Sequence, residues 1–112
     1  MGFMTAIDGG AGVVLQGPAA DALVAECLAA FATGSVDALY DLGVAFSTGS
    51  HGTACDLIEA HKWFNIAAAR GHEEAAWCRA DVSEEMTARE IAEAQRRARE
   101  WLKSDAAERR AA

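Results

Sequence analysis

Two helical hydrophobic patterns, separated by a short glycine-containing loop, lie in the middle of this 112-residue chain. The first follows Ser35, a residue that can cap a helix, and the second begins at Asp56 and ends at Gly71. In each pattern the apolar residues recur every three or four positions, as on one face of a helix. Gly43 lies within the first pattern, where glycine costs about 1 kcal/mol relative to alanine. We therefore expect an antiparallel helical hairpin whose two helices approach closely at Gly43.

Three further helices are expected around this hairpin. A first helix begins at Pro18, which suits a first turn, and ends at Gly34. A fourth spans residues 72–86, and a fifth opens at Thr87 with the spacing of a capping box. The sequence thus predicts an all-α protein of about five helices. It is divided into a flexible arm over residues 1–16, one domain over residues 17–103 and a fraying tail over residues 104–112.

An internal repeat becomes visible when Gly34 is aligned with Gly71, because Ala38 then falls on Ala75. In this alignment the fourth helix repeats the second, and the fifth echoes the third. Repeats of this length are typical of stacked helical units, whose terminal copies are often irregular. We expect one well-formed central unit with degenerate units on either side.

The central hairpin resembles the Sel1-like repeat family. That family has a first helix of the form A-x-x-x-L-G-x-x-Y/F-x-x-G and a second of the form D-x-x-x-A-x-x-W-x-x-x-A-A-x-x-G. The resemblance implies a right-handed stack of antiparallel helix pairs, a Sel1/TPR-like superhelix that binds other proteins. The turn after the first helix departs from the family pattern, and the second unit lacks the family glycines. The repeat signature consists of Leu42, Gly43, Phe46, Gly49, Ala60, Trp63, Phe64, Ala67, Ala68 and Gly71.

The net charge of −7 is unevenly distributed along the chain. Residues 1–60 contain seven acidic residues and no lysine or arginine, whereas residues 61–112 contain ten of each sign. A nucleic-acid binder needs a basic surface, so this class is excluded. The distribution permits a basic partner, or head-to-tail contact between copies through the arginine-rich fifth helix, although a solvated acidic surface is the simpler interpretation.

We expect a cytoplasmic, bacterial protein of the Sel1-like type. No apolar run approaches the roughly 20 residues that cross a bilayer, and a secretory signal is not recognisable, so no membrane association is expected. Three cysteines, an odd number without a CxxC pair, are interpreted as free thiols. Two points stay open: whether Met1 or Met4 is the natural start, and whether the terminal Ala111-Ala112 pair is a degradation signal.

Residue types that could support catalysis do not combine into a recognisable site. His51, Cys55 and His61 match no common zinc spacing. Neither Cys55 nor Cys78 has a predictable base or oxyanion hole. The acidic residues of the hairpin are typical of a solvated helix surface. We therefore expect no enzyme activity, no cofactor and no metal.

The residues at the end of the stack are better candidates for partner binding. Trp77 and Trp101 belong to terminal units that no further repeat covers. Arg96, Arg97 and Arg99 form a cationic surface on the fifth helix. The sequence thus favours a protein–protein interaction adaptor or scaffold that binds a partner peptide or helix. The alternatives are a self-associating structural homodimer and, with less support, a metal-binding or thiol enzyme.

Overall fold

A computed structural model describes residues 17–111, which form five α-helices. The helices are α1 (Pro18–Ala32), α2 (Asp37–Thr48), α3 (Leu57–Ala69), α4 (Glu73–Ser83) and α5 (Ala88–Ala111). Residues 17–111 contain no strand, so the expected all-helical class is confirmed. The arm expected at residues 1–16 lies outside the described residues, as does Ala112. None of the five helices combines the length and the apolar character needed to cross a membrane.

Helix α3 is the centre of the fold. Helices α2, α4 and α5 pack directly against it, and α1 packs against α2. The side chains of Phe46, Leu39 and Leu42 from α2 are fully buried. Those of Phe64 and Ile66 from α3 complete the central apolar cluster. The core therefore lies in the α2–α3 hairpin, where the apolar spacing predicts it.

Gly43 determines how closely α2 and α3 approach. A Cβ atom built at this position would lie 2.5 Å from two ring carbons of Phe64. Phe64 is itself only 2% exposed, so its ring has little room to move away. Because protein interiors are close-packed, no side chain larger than glycine fits unless the Phe64 ring or its helix is displaced. The close approach predicted at Gly43 is confirmed.

Hydrogen bonds at the helix ends explain where most of the helices begin and end. Gly34 and Gly71 have positive φ angles of 107° and 97°, a conformation that favours glycine and closes α1 and α3. The Asp56 side chain accepts from the Glu59 amide at the start of α3, as expected. The capping box at Thr87 is also confirmed, with reciprocal bonds of 2.8 and 3.1 Å to Glu90.

The expected cap at Ser35 is wrong. Val36 precedes the first residue of α2 and makes no side-chain capping bond. Ser35 instead donates its backbone N–H to the Ala30 carbonyl, 3.1 Å away, and so helps to close α1. Its carbonyl also accepts from the Ala38 amide at 3.3 Å, so the Ser35 backbone contributes to both helix ends.

The last two helices differ from their expected lengths. Helix α4 ends at Ser83 and does not reach residue 86, and His72 is its N-cap rather than its first residue. Helix α5 continues to Ala111, whereas fraying was expected from residue 104. Its extra turns are held by Asp105, which accepts from Arg70 of the α3 end at 2.7 Å. In addition, α5 packs against α3 and makes at most marginal contact with α4, so the second hairpin of the expected repeat does not form as a close pair.

Candidate protein-binding surfaces

Trp77 is the most exposed large apolar side chain of the described residues. It lies on the outer side of α4, and 76% of its surface is accessible. Most tryptophans of soluble proteins are largely buried, so this exposure leaves an apolar surface uncovered. Trp77 thus agrees with the expectation from the sequence that a tryptophan of a terminal unit stays accessible.

A groove lies between α2 and α4, and two of its lining residues, Cys78 and Asp81, lie one and four positions after Trp77 on α4. Its volume is about 330 Å³. The apolar part of its lining comes from Val44 of α2, Phe64 of α3 and Val82 of α4, and Asp81 and Glu85 provide carboxylates at α4. A groove of this size can take a few side chains of a peptide or helix.

A cluster of polar and aromatic side chains joins α2 to the start of α4 near this groove. The His72 ring stacks on Tyr40, with 4.5 Å between ring centroids and 9° between planes. His72 Nδ1 accepts from the Ala75 amide at 3.1 Å, which places the ring proton on Nε2, 3.1 Å from an Asp37 carboxylate oxygen. The cluster thus fixes α4 relative to α2, and with it the position of Trp77.

The Tyr40 hydroxyl has a raised pKa, chiefly because of its neighbour Cys78. The Cys78 thiol of α4 lies 3.7 Å from the Tyr40 hydroxyl. The hydrogen bond between these groups, then burial, then the charges of Glu74 and Asp41 raise the pKa of Tyr40 to about 12. The phenol therefore stays protonated at neutral pH.

Trp101 has a different environment from Trp77. Its ring packs between Phe31 of α1, at a centroid distance of 6.0 Å, and Trp63 of α3, at 5.7 Å. A second groove of about 740 Å³ lies beside it, between the C-terminal parts of α1 and α5. The charges along this groove are largely paired within the chain, because Asp105 binds Arg70 and Arg109. Trp101 thus contributes to packing between α1, α3 and α5, and it is partly buried.

Two of the three predicted arginines of α5 form ion pairs within the chain. Arg96 pairs with Glu93 and Glu100 at 2.7 and 3.1 Å, and Arg97 pairs with Glu93 and Glu59 at 2.7 and 2.8 Å. Hydrogen bonds from Arg96 and Arg97 hold the pKa of Glu93 at about 2. Arg99 is exposed and has no carboxylate oxygen within 4 Å among residues 17–111. Of the three predicted arginines, Arg99 therefore has the charge most accessible to a partner.

The residues considered for catalysis are widely distributed. Within residues 17–111, no three His, Cys, Asp or Glu side chains converge as metal ligands. His51 is exposed in the α2–α3 loop, whereas His61 is buried in α3. Burial, and then the nearby charge of Arg79, lower the pKa of His61, so its ring is neutral at pH 7.

The thiols and acidic residues that were candidates in the hairpin have structural roles. Cys55 is exposed and donates to the Ser47 carbonyl at 3.5 Å. Glu59 pairs with Lys62 at 3.3 Å as well as with α5, and Asp56 caps α3. These contacts give Glu59 and Asp56 structural roles in the packing and capping of α3.

Sequence reasoning missed the groove between α2 and α4. Its apolar residues Val44 and Val82 belong to different helices, and nothing in their spacing shows that the helices leave a gap. A signal was nevertheless present around Trp77, because Glu73, Glu74 and Asp81 lie three or four positions away along α4. This pattern indicates an exposed tryptophan with acidic neighbours, which differs from the basic surface favoured on α5.

Comparisons of the chain with protein-family models, with curated proteins and with solved structures returned no match.

Proposed function

We propose that this protein is an interaction module of the Sel1-like type, which binds a peptide or helix of a partner and carries out no catalysis. The observation that carries the proposal is the exposure of Trp77 on α4, the helix that forms one wall of the groove between α2 and α4. Tryptophan is enriched among the residues that contribute most to binding at protein interfaces. A groove of about 330 Å³ suits a narrow segment better than the broad surface of a folded domain.

The proposal includes a right-handed stacking of the helices, as in the Sel1-like and tetratricopeptide families, and a cytoplasmic location. It is supported by the α2–α3 hairpin, where Phe64 packs against Gly43. It is also supported by the equivalent glycine-closed turns at Gly34 and Gly71. The packing of α5 on α3 would make the second unit irregular, as terminal repeats often are.

Selection from a random-peptide display library tests this function without assuming a partner. Binders are selected on the full chain and then measured individually against the Trp77→Ala and Arg99→Ala variants. Both residues are exposed, so both variants should fold, which circular dichroism checks. We expect peptides whose binding is lost in Trp77→Ala and kept in Arg99→Ala. Loss with Arg99→Ala alone would assign binding to α5, and the absence of any specific binder would contradict the proposal.

Self-association is the alternative function, favoured by a groove of about 690 Å³ on α5 beside Leu102, Arg99 and Lys103. In a second copy this cationic groove could receive Trp77 with its acidic neighbours. Light scattering after size-exclusion chromatography over a wide concentration range decides between the two. A dimer that dissociates in the Trp77→Ala variant would support self-association, and a monomer at every concentration would exclude it.

A further inference from the structure

The surface around Trp77 has a single sign of charge. Helix α2 contains no lysine or arginine, and α4 contains only Arg79. Arg79 donates to the Asn65 side chain of α3 at 3.0 Å, so its charge lies on the inner side of α4. The exposed surface of α2, α4 and the turn after α4 is therefore acidic, and it includes Asp41, Glu73, Glu74, Asp81, Glu84 and Glu85.

These carboxylates are available to a partner. Among residues 17–111, none of the six has a lysine, arginine or histidine nitrogen within 4 Å. The arginines that form ion pairs, Arg70, Arg96, Arg97 and Arg109, bind carboxylates of α3 and α5 instead. The ion pairs therefore lie on the α3–α5 side of the fold, and the exposed carboxylates of α4 form none among residues 17–111.

The position of the indole among these carboxylates selects a chemical class of partner. On a helix, residues three and four positions apart lie about 5–6 Å from each other. Glu73, Glu74 and Asp81 therefore surround Trp77 on α4. A lysine or arginine placed on the indole face gains a cation–π contact and reaches a carboxylate at the same time. An acidic segment at this position would be repelled, and a neutral one would leave the carboxylates uncompensated.

We propose that Trp77 and the groove between α2 and α4 bind a cationic amphipathic helix of a partner protein. A lysine or arginine of that helix lies on the Trp77 indole, and its apolar side chains enter the groove beside Val44 and Val82. This inference rests on the proposed function, since it names the partner chemistry of the same surface. The positive charge of such a partner is also complementary to the net charge of −7 of this chain.

Three synthetic peptides of about 18 residues, long enough for several helical turns, provide the probes. Leucine recurs at helical spacing in each, and the flanking positions are all lysine, all glutamine or all glutamate. Fluorescence anisotropy measures the dissociation constant of each peptide for the full chain. We expect the lysine peptide to bind at least about tenfold more tightly than the glutamine peptide, and the glutamate peptide not to bind. Raising the salt concentration should weaken only the lysine peptide.

Matched variants separate this surface from general attraction to an acidic protein. Glu74→Gln with Asp81→Asn removes two charges beside Trp77, and Asp21→Asn with Glu26→Gln removes two exposed charges from α1. The first pair should weaken binding of the lysine peptide about tenfold, and the second pair should weaken it less than about twofold. The difference is expected because surface charges act over roughly one Debye length. Trp77→Ala should weaken it by at least about tenfold.

The outcomes distinguish this inference from the proposed function. Equal weakening by the two charge pairs, or no effect of Trp77→Ala, would show non-specific attraction and overturn the inference. If the glutamine or glutamate peptide binds as tightly as the lysine peptide and depends on Trp77, the interaction module stands and its cationic preference fails. If no peptide binds and display yields no binder, both proposals fail.

Discussion

Replacing Gly43 with alanine tests the close approach of α2 and α3. The new Cβ atom would lie 2.5, 2.5 and 2.9 Å from three ring carbons of Phe64. Inserting atoms into a well-packed core costs about 1–3 kcal/mol, and contacts this short place the change near the upper end of that range. Alanine also gains about 1 kcal/mol of helix propensity over glycine. The expected net effect is a loss of about 1–2 kcal/mol in the free energy of unfolding.

Urea unfolding followed by circular dichroism measures this change. Asp41→Ala is a matched control, because it also introduces alanine into the interior of α2 but at an exposed position. The control should be neutral or slightly stabilising, by about 0.5 kcal/mol. The second control is Gly43→Ala combined with Phe64→Leu, which removes the ring that the new methyl would meet. In this background the added methyl should cost less than in the wild type.

The sign of the change in the free energy of unfolding in Gly43→Ala tests the steric explanation. If α2 and α3 were farther apart, alanine would stabilise the protein by about 1 kcal/mol through helix propensity alone. A stabilised variant, or a loss that persists unchanged in the Phe64→Leu background, would refute the steric explanation.

Three further predictions concern individual polar contacts. The lowered pKa of His61 means that its neutral form supplies stability above the unfolded pKa of 6.5, which is lost as the pH falls toward the folded pKa. Thermal melts between about pH 7.5 and 5.5 should show the free energy of unfolding falling by up to about 1.4 kcal/mol per pH unit below pH 6.5. An equal slope in the His61→Gln variant would contradict this. His72→Ala removes a helix cap and a ring stack on Tyr40, so urea unfolding should show a loss of about 1–2 kcal/mol, partly restored by His72→Asn. Asp105→Asn weakens the contact of α5 with Arg70, so hydrogen exchange should quicken in the last turns of α5 while α3 is unchanged, and uniform exchange would oppose this.

Local sequence signals predicted much of the fold. The apolar spacing identified the helices, and the caps at Asp56 and Thr87 and the glycine stops at Gly34 and Gly71 identified most of their ends. These signals succeed because each depends on residues within one or two turns of each other. The end of α5 was mispredicted because the contact that holds it, between Arg70 and Asp105, joins residues far apart in the sequence.

The sequence by itself determined the all-helical class, the α2–α3 hairpin and the need for glycine at position 43. Only the tertiary structure decided which tryptophan is accessible and which charges are free. Trp77 and Trp101 both lie in the irregular end of the repeat, but α1 and α3 cover Trp101, and no described residue covers Trp77 to a similar extent. Similarly, Arg97 of α5 pairs with Glu59 of α3, whereas the carboxylates around Trp77 face solvent. Helical spacing fixes the face on which a side chain lies, but the neighbouring helices determine what that face meets.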